Sequence, residues 1–144
     1  DADMTLSEGL REYYGSREEL YDGRGPSESA NTFFRCHDVA HVVFGCSTDL
    51  NQEGVVKLWS FFGTTAGLSL MRDYRSPEAK EIYETIDWMD IPRTAIALLG
   101  LYPRVLYRCT QMTQRWPWDA YEPYLNVSIA RIREEFGIRV VVLG

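Results

Sequence analysis

A chain of 144 residues, 45% hydrophobic and 25% charged, is long enough for one buried core, too short for two comfortable ones, and too apolar for disorder. A net charge of −6, with no cluster of Lys or Arg, excludes the counterion displacement on which nucleic-acid binding depends, and equally a polybasic lipid patch. Three cysteines, an odd number without CxxC spacing, exclude a disulfide framework and point to a reducing, cytoplasmic setting.

In chain order, Leu6 to Tyr14 reads as a short helix stopped by Gly15, and Asp22-Gly-Arg-Gly-Pro26 as a dense turn. Ser27 is the expected N-cap of a helix over Glu28 to Phe44, closed by Gly45 in the left-handed conformation. After a loop, Asp49 and Gln52 make a capping-box pattern for a long helix from about Leu50 to Tyr74. Its stripe is Val55, Leu58, Trp59, Phe62 and Ala66. Gly63 and Gly67, at GxxxG spacing, predict close helix packing there, with a groove for an apolar tail as the alternative. Ser76-Pro77 restarts a helix to about Asp87, and Ile91-Pro92 starts another, apolar through Leu101 and kinked at Pro103. Trp116 to Asp119 reads as a loop, and Tyr121 to Phe136 as the last helix, stopped by Gly137. Residues 138–144 form a β-branched run without a partner strand, hence an extended tail. The expected fold is all-α: one domain over 1–144 with five or six helices, in which 1–26 supply an N-terminal helix and linker. The longest uncharged stretch, Leu58 to Met71, is shorter than the ~20 residues of a membrane span. The N-terminus carries no secretory pattern.

The chemistry concentrates in His37-Asp38-Val-Ala-His41. On a helix the two imidazoles lie on one face a turn apart, the spacing that grips a metal ion in HExxH sites. These are the chain's only two histidines. Asp38 lies on an adjoining face. Glu53 would sit ~18 Å along the axis from His41 were the helix continuous. The stop at Gly45 and the restart at Asp49 fold the chain back, so that Glu53 in the first turn of the next helix can face the histidines. The bland readings are a packed, hydrogen-bonded His, a surface Asp, and a Glu that complements a helix dipole. Imidazoles with one or two carboxylates suit Zn, Fe(II) or Mn(II) better than Ca or Mg. Cys36 and Cys46 flank the motif as candidate thiolate ligands, though a free Cys is most often a small buried hydrophobe. Arg104, Arg108 and Arg115 could hold a phosphate or carboxylate, with a solvated face as the default.

His37-Asp38-x-x-His41, eleven residues and then Glu53, resembles the signature of the coenzyme Q (ubiquinone) biosynthesis protein Coq-four family. Arg35-Cys36 leading in, Val42-Val-Phe-Gly45 leading out, Thr48, and Ile132-Arg-Glu-Glu-Phe-Gly-Ile138 are similar as well. One departure is Gln52, where the family commonly has Gly before the motif Glu. The resemblance implies a helical protein that binds a divalent metal, zinc above all, through His37, Asp38, His41 and Glu53. It implies a lyase activity, oxidative decarboxylation of a prenylated hydroxybenzoate ring, or else a non-catalytic prenyl-lipid-binding or scaffold role. The implied partners are a prenylated quinone precursor or isoprenoid lipid, quinone-synthesis enzymes, a second copy in a homodimer, and peripheral contact with a membrane.

Overall fold

The computed structural model describes residues 3–15, 27–73 and 91–141. Every regular element among them is helical: α1 (Leu6–Tyr14), α2 (Glu28–Phe44), α3 (Leu50–Phe62), α4 (Leu70–Asp73), α5 (Ile91–Thr110) and α6 (Ile129–Phe136), with single 3-10 turns at Gly67–Ser69 and Glu122–Tyr124. The fold is all-α and forms one compact domain. The predicted turn over 22–26 and helix over 77–87 lie outside the described residues.

Local chemistry sets the helix ends. Thr5 and Glu8 close a capping box on α1, each side chain taking the other's backbone N–H. The Ser27 hydroxyl accepts from the Ala30 N–H at the start of α2, and Ser128 accepts from the Arg131 N–H at the start of α6. Gly45 and Gly137 end those helices in the left-handed region, with φ of 68° and 66°.

The sequence reading is corrected at three points in two helices. The helix expected over residues 50–74 stops at Phe62, because the Gly63 carbonyl accepts from the Trp116 N–H and the Thr65 N–H reaches back to the Trp116 carbonyl. Those bonds replace the next turn of helix. Gly63 and Gly67 therefore do not share a helix face: the first follows the end of α3 and the second opens a left-handed turn, at φ 58°. The last helix begins at Ile129 rather than Tyr121. The carbonyls of Leu125 and Val127 accept from the Ser7 and Leu6 N–H groups, and the Met4 carbonyl accepts from the Ile129 N–H. The two segments thus satisfy first-turn donors of each other's helices. The Asp49–Gln52 capping box does not form: Asp49 accepts from the Ser47 hydroxyl instead, and the buried Gln52 Oε1 has no hydrogen-bond partner.

α1 packs on α2, α2 on α3 and α6, and α3 along α5. The core is apolar and aromatic. Phe44 at the end of α2 stacks on Trp59 of α3 with centroids 4.6 Å apart and planes 10° apart, and Trp116, Tyr124 and Phe136 form a second aromatic group. Such pairs add about 0.5–1.5 kcal/mol each beyond the area they bury. The Phe44–Trp59 stack clamps the two helices on either side of the chain reversal at 45–49. No described helix is long and apolar enough to cross a membrane.

Candidate metal centre

His37 and His41, one turn apart on α2, face the first turn of α3, where Glu53 stands. The reversal predicted from Gly45 is present, and it brings the glutamate to both rings. His41 Nε2 lies 3.1 Å from His37 Nε2 and 3.1 Å from Glu53 Oε1, and His37 Nε2 lies 3.3 Å from Glu53 Oε2. The imidazole planes cross at 81° with centroids 4.7 Å apart. The His41 side chain is fully enclosed, whereas that of Glu53 is 24% exposed, so the centre is walled by protein and open on the α3 side.

Three of the four predicted residues form a group able to hold a metal ion; Asp38 is outside it. It lies 100° around the helix from His37, which turns its carboxylate toward α1. There the Tyr14 hydroxyl donates to Asp38 Oδ2 at 2.8 Å, a buried bond that ties α1 to α2. The aspartate predicted as a fourth ligand is thus a helix anchor here.

Electrostatics favour the ligating form of at least two members. Burial depresses the His37 pKa, aided by His41 and opposed by Glu53 and Asp38, so the ring is neutral at pH 7. For Glu53, burial pushes the carboxyl up, but in the metal-free group ring protons of His37 and His41 facing its oxygens outweigh it and bring the group down to about 2; an ion bound there would take the place of those protons. His41 is set by geometry: its Nδ1 lies 3.2 Å from the Cys46 carbonyl oxygen. A carbonyl only accepts, so this bond puts a proton on Nδ1 and leaves Nε2 for the shared point.

Tetrahedral ligands at about 2.1 Å from zinc stand about 3.4 Å from one another, close to the spacing here. Two nitrogens and a carboxylate oxygen match the donor set of an open zinc or Fe(II) site. The residues therefore fit a divalent metal with a position left over.

The cysteines do not join the group. Burial pushes Cys36 up to about 12, with Asp119 and Glu122 adding to it; burial and then Glu53 push Cys46 up to about 12 against Arg133. Both keep their protons and their nucleophilicity is low. Arg108 donates to Gln111, while Arg104 and Arg115 stand exposed.

Several residues that shape the centre escaped the sequence reading. Tyr13 lies over the His41 ring (centroids 5.3 Å, planes 31° apart), and Phe33 stacks on His37 at 6.1 Å. Phe33 was legible as the i−4 neighbour of His37; Tyr13 depends on how α1 docks and had no local signal. No family model, curated protein or solved structure matches this chain.

Proposed function

We propose that this chain holds one divalent metal ion between α2 and α3 and serves ubiquinone, other quinone or prenyl-lipid metabolism. The metal half rests on one observation: the nitrogen atoms of the chain's only two histidines and the oxygens of one carboxylate converge within 3.1–3.3 Å of one another. The metabolic half rests on the motif that these same residues make. Zinc is the expected ion, with Fe(II) or Mn(II) fitting the same donors. Bound there, the ion would supply Lewis-acid polarisation or, as iron, redox chemistry.

The chain's own residues supply the remainder. His37 and His41 present ring nitrogens as donors, and Glu53 presents charge. Tyr13 and Phe33 lie against the two imidazole rings, and the exposed side of Glu53 leaves an approach for a substrate. The activity proposed for this arrangement is oxidative decarboxylation of a prenylated hydroxybenzoate ring, a lyase reaction in which the carboxyl group leaves as CO2 and an oxygen atom from dioxygen, the oxidant, takes its place on the ring; it would need a redox-active ion such as Fe(II), since zinc supplies Lewis acidity alone. Elemental analysis of the purified chain and of His41→Ala tests the first step. About one equivalent of metal in the first and a severe loss in the second is expected; negligible metal in both defeats the reading.

A non-catalytic reading is favoured by Phe62, Leu68 and Met71, large apolar side chains left exposed at the end of the Leu58–Met71 stretch. They suit a prenyl tail better than water does. Native mass spectrometry showing a co-purified prenyl lipid, with no turnover of hydroxybenzoate analogues by the metal-loaded protein, would select that reading.

A further inference from the structure

Arg133, on α6, reaches across to the last turn of α2. Its Nε donates to the Val43 carbonyl at 2.9 Å and its Nη2 to the Val42 carbonyl at 3.0 Å. The last carbonyls of a helix have no partner within it, and here they are shared between two agents. The Cys46 N–H takes the His41 carbonyl at 2.8 Å, the Gly45 N–H takes that of Val42, and the guanidinium takes those of Val42 and Val43. The guanidinium is half-buried and packs hard against the turn. A Cβ placed on Gly45 would stand 3.1 Å from Arg133 Nη2 and 2.9 Å from Val140.

That turn ends in a metal ligand's support. Cys46 is bonded to His41 twice: its N–H to the His41 carbonyl, and its own carbonyl to the His41 ring Nδ1 at 3.2 Å. A shift of the 44–46 backbone moves the Cys46 carbonyl away from the ring and frees both the orientation of the imidazole and the site of its proton. Arg133 also borders a cavity of about 350 Å³, lined besides by Glu12, Tyr13, Val42 and Cys46. Water there could take over carbonyls that the guanidinium released, so the turn has an alternative state close at hand.

We propose that Arg133 is a positioning residue for the metal centre. By gripping the end of α2 it holds the Cys46 carbonyl on the His41 Nδ1 proton, and so keeps Nε2 aimed at the point shared with His37 and Glu53. A ligating histidine's partner on its other nitrogen sets metal affinity typically by 10–100-fold, and Arg133 acts one bond further out. The inference rests on the metal reading for its affinity arm and on geometry alone for its proton arm.

The test uses the full chain with ring-¹⁵N-labelled histidine, whose two residues give a two-ring spectrum. Arg133→Lys keeps the positive charge at the helix end but cannot donate along two fixed directions. In the parent, His41 Nδ1 should carry a proton that exchanges slowly with water. In Arg133→Lys and Arg133→Ala that proton should exchange faster, and the Co(II) dissociation constant should rise about tenfold or more, with an altered visible d–d band. The metal-free melting temperature of Arg133→Lys should stay near the parent's, which separates positioning from a general loss of fold. Slow exchange and parental Co(II) affinity in Arg133→Lys would overturn the proposal, as would an affinity loss that merely follows a lowered metal-free melting temperature. Should the parent bind no Co(II), the metal reading falls, while the proton exchange still decides whether Arg133 orients the ring.

Discussion

Two imidazole nitrogens and a carboxylate held 3.1–3.3 Å apart point lone pairs at one place, a costly arrangement unless a cation or protons occupy it. The cost is visible in pH. Glu53 titrates near 4.5 when unfolded and near 2 in the fold, so its contribution to stability is full above 4.5 and disappears as pH falls toward 2. His37 is held below its ordinary 6.5, so below that value the unfolded chain takes up a proton that the fold resists, and stability drops. Both groups act in the same direction. Urea midpoints of the metal-free chain should fall steadily from pH 7 to pH 3. Glu53→Gln should flatten the acid end of that slope and His37→Ala the end near 6.5; a midpoint constant over the range would contradict the assignment. Gln52, next to Glu53, carries a different cost, a buried amide oxygen with no hydrogen-bond partner. Gln52→Met should raise stability by about 1 kcal/mol, read as a small rise in melting temperature, because it removes an acceptor that lost its water.

At the scale of elements, the helix limits that were legible were those with a local cause. Ser27 and Gly45 bracket α2 where the sequence placed them, since a hydroxyl cap and a left-handed glycine act within four residues. The end of α3, the start of α6 and the missing capping box at Asp49 were not legible. The first two are decided by bonds from segments far along the chain, Trp116 at Gly63 and α1 at residues 125–127, and the third by the competing Ser47 hydroxyl, which donates to the Asp49 carboxylate. Gly45 joins both kinds of cause. Gly45→Ala meets an unfavourable φ and a close approach to Val140 and Arg133 together. It should cost about 1–3 kcal/mol in thermal or urea unfolding and weaken metal binding with it, whereas Gly15→Ala, whose nearest non-neighbour atom is 4.0 Å away, meets only the backbone strain. Equal effects of the two on metal affinity would show that the 45–46 turn does not support the centre.

For the whole molecule, the candidate ligands come from two helices that only the folded chain brings together, so a metal bound there would be coupled to folding. At a free metal concentration about 100 times the dissociation constant, the fold should gain about 2.7 kcal/mol. That is a rise of several degrees in melting temperature for a chain of this size, abolished in His37→Ala. A melting temperature indifferent to zinc in the parent would mean that the three side chains do not act as one site. The sequence by itself determined the all-α class, the i, i+4 histidine pair and the reversal at Gly45, because helical period and backbone caps are local properties of a dozen residues. Tertiary structure alone decided that Asp38 would serve Tyr14 rather than the metal group, and that Tyr13 and Phe33 would pack on the imidazoles. It alone decided, too, that an arginine ninety residues from Val43 would grip the end of the helix that carries both histidines. Those outcomes depend on which faces of separate helices meet, and a side chain's partner across an interface is set by the packing of the entire core.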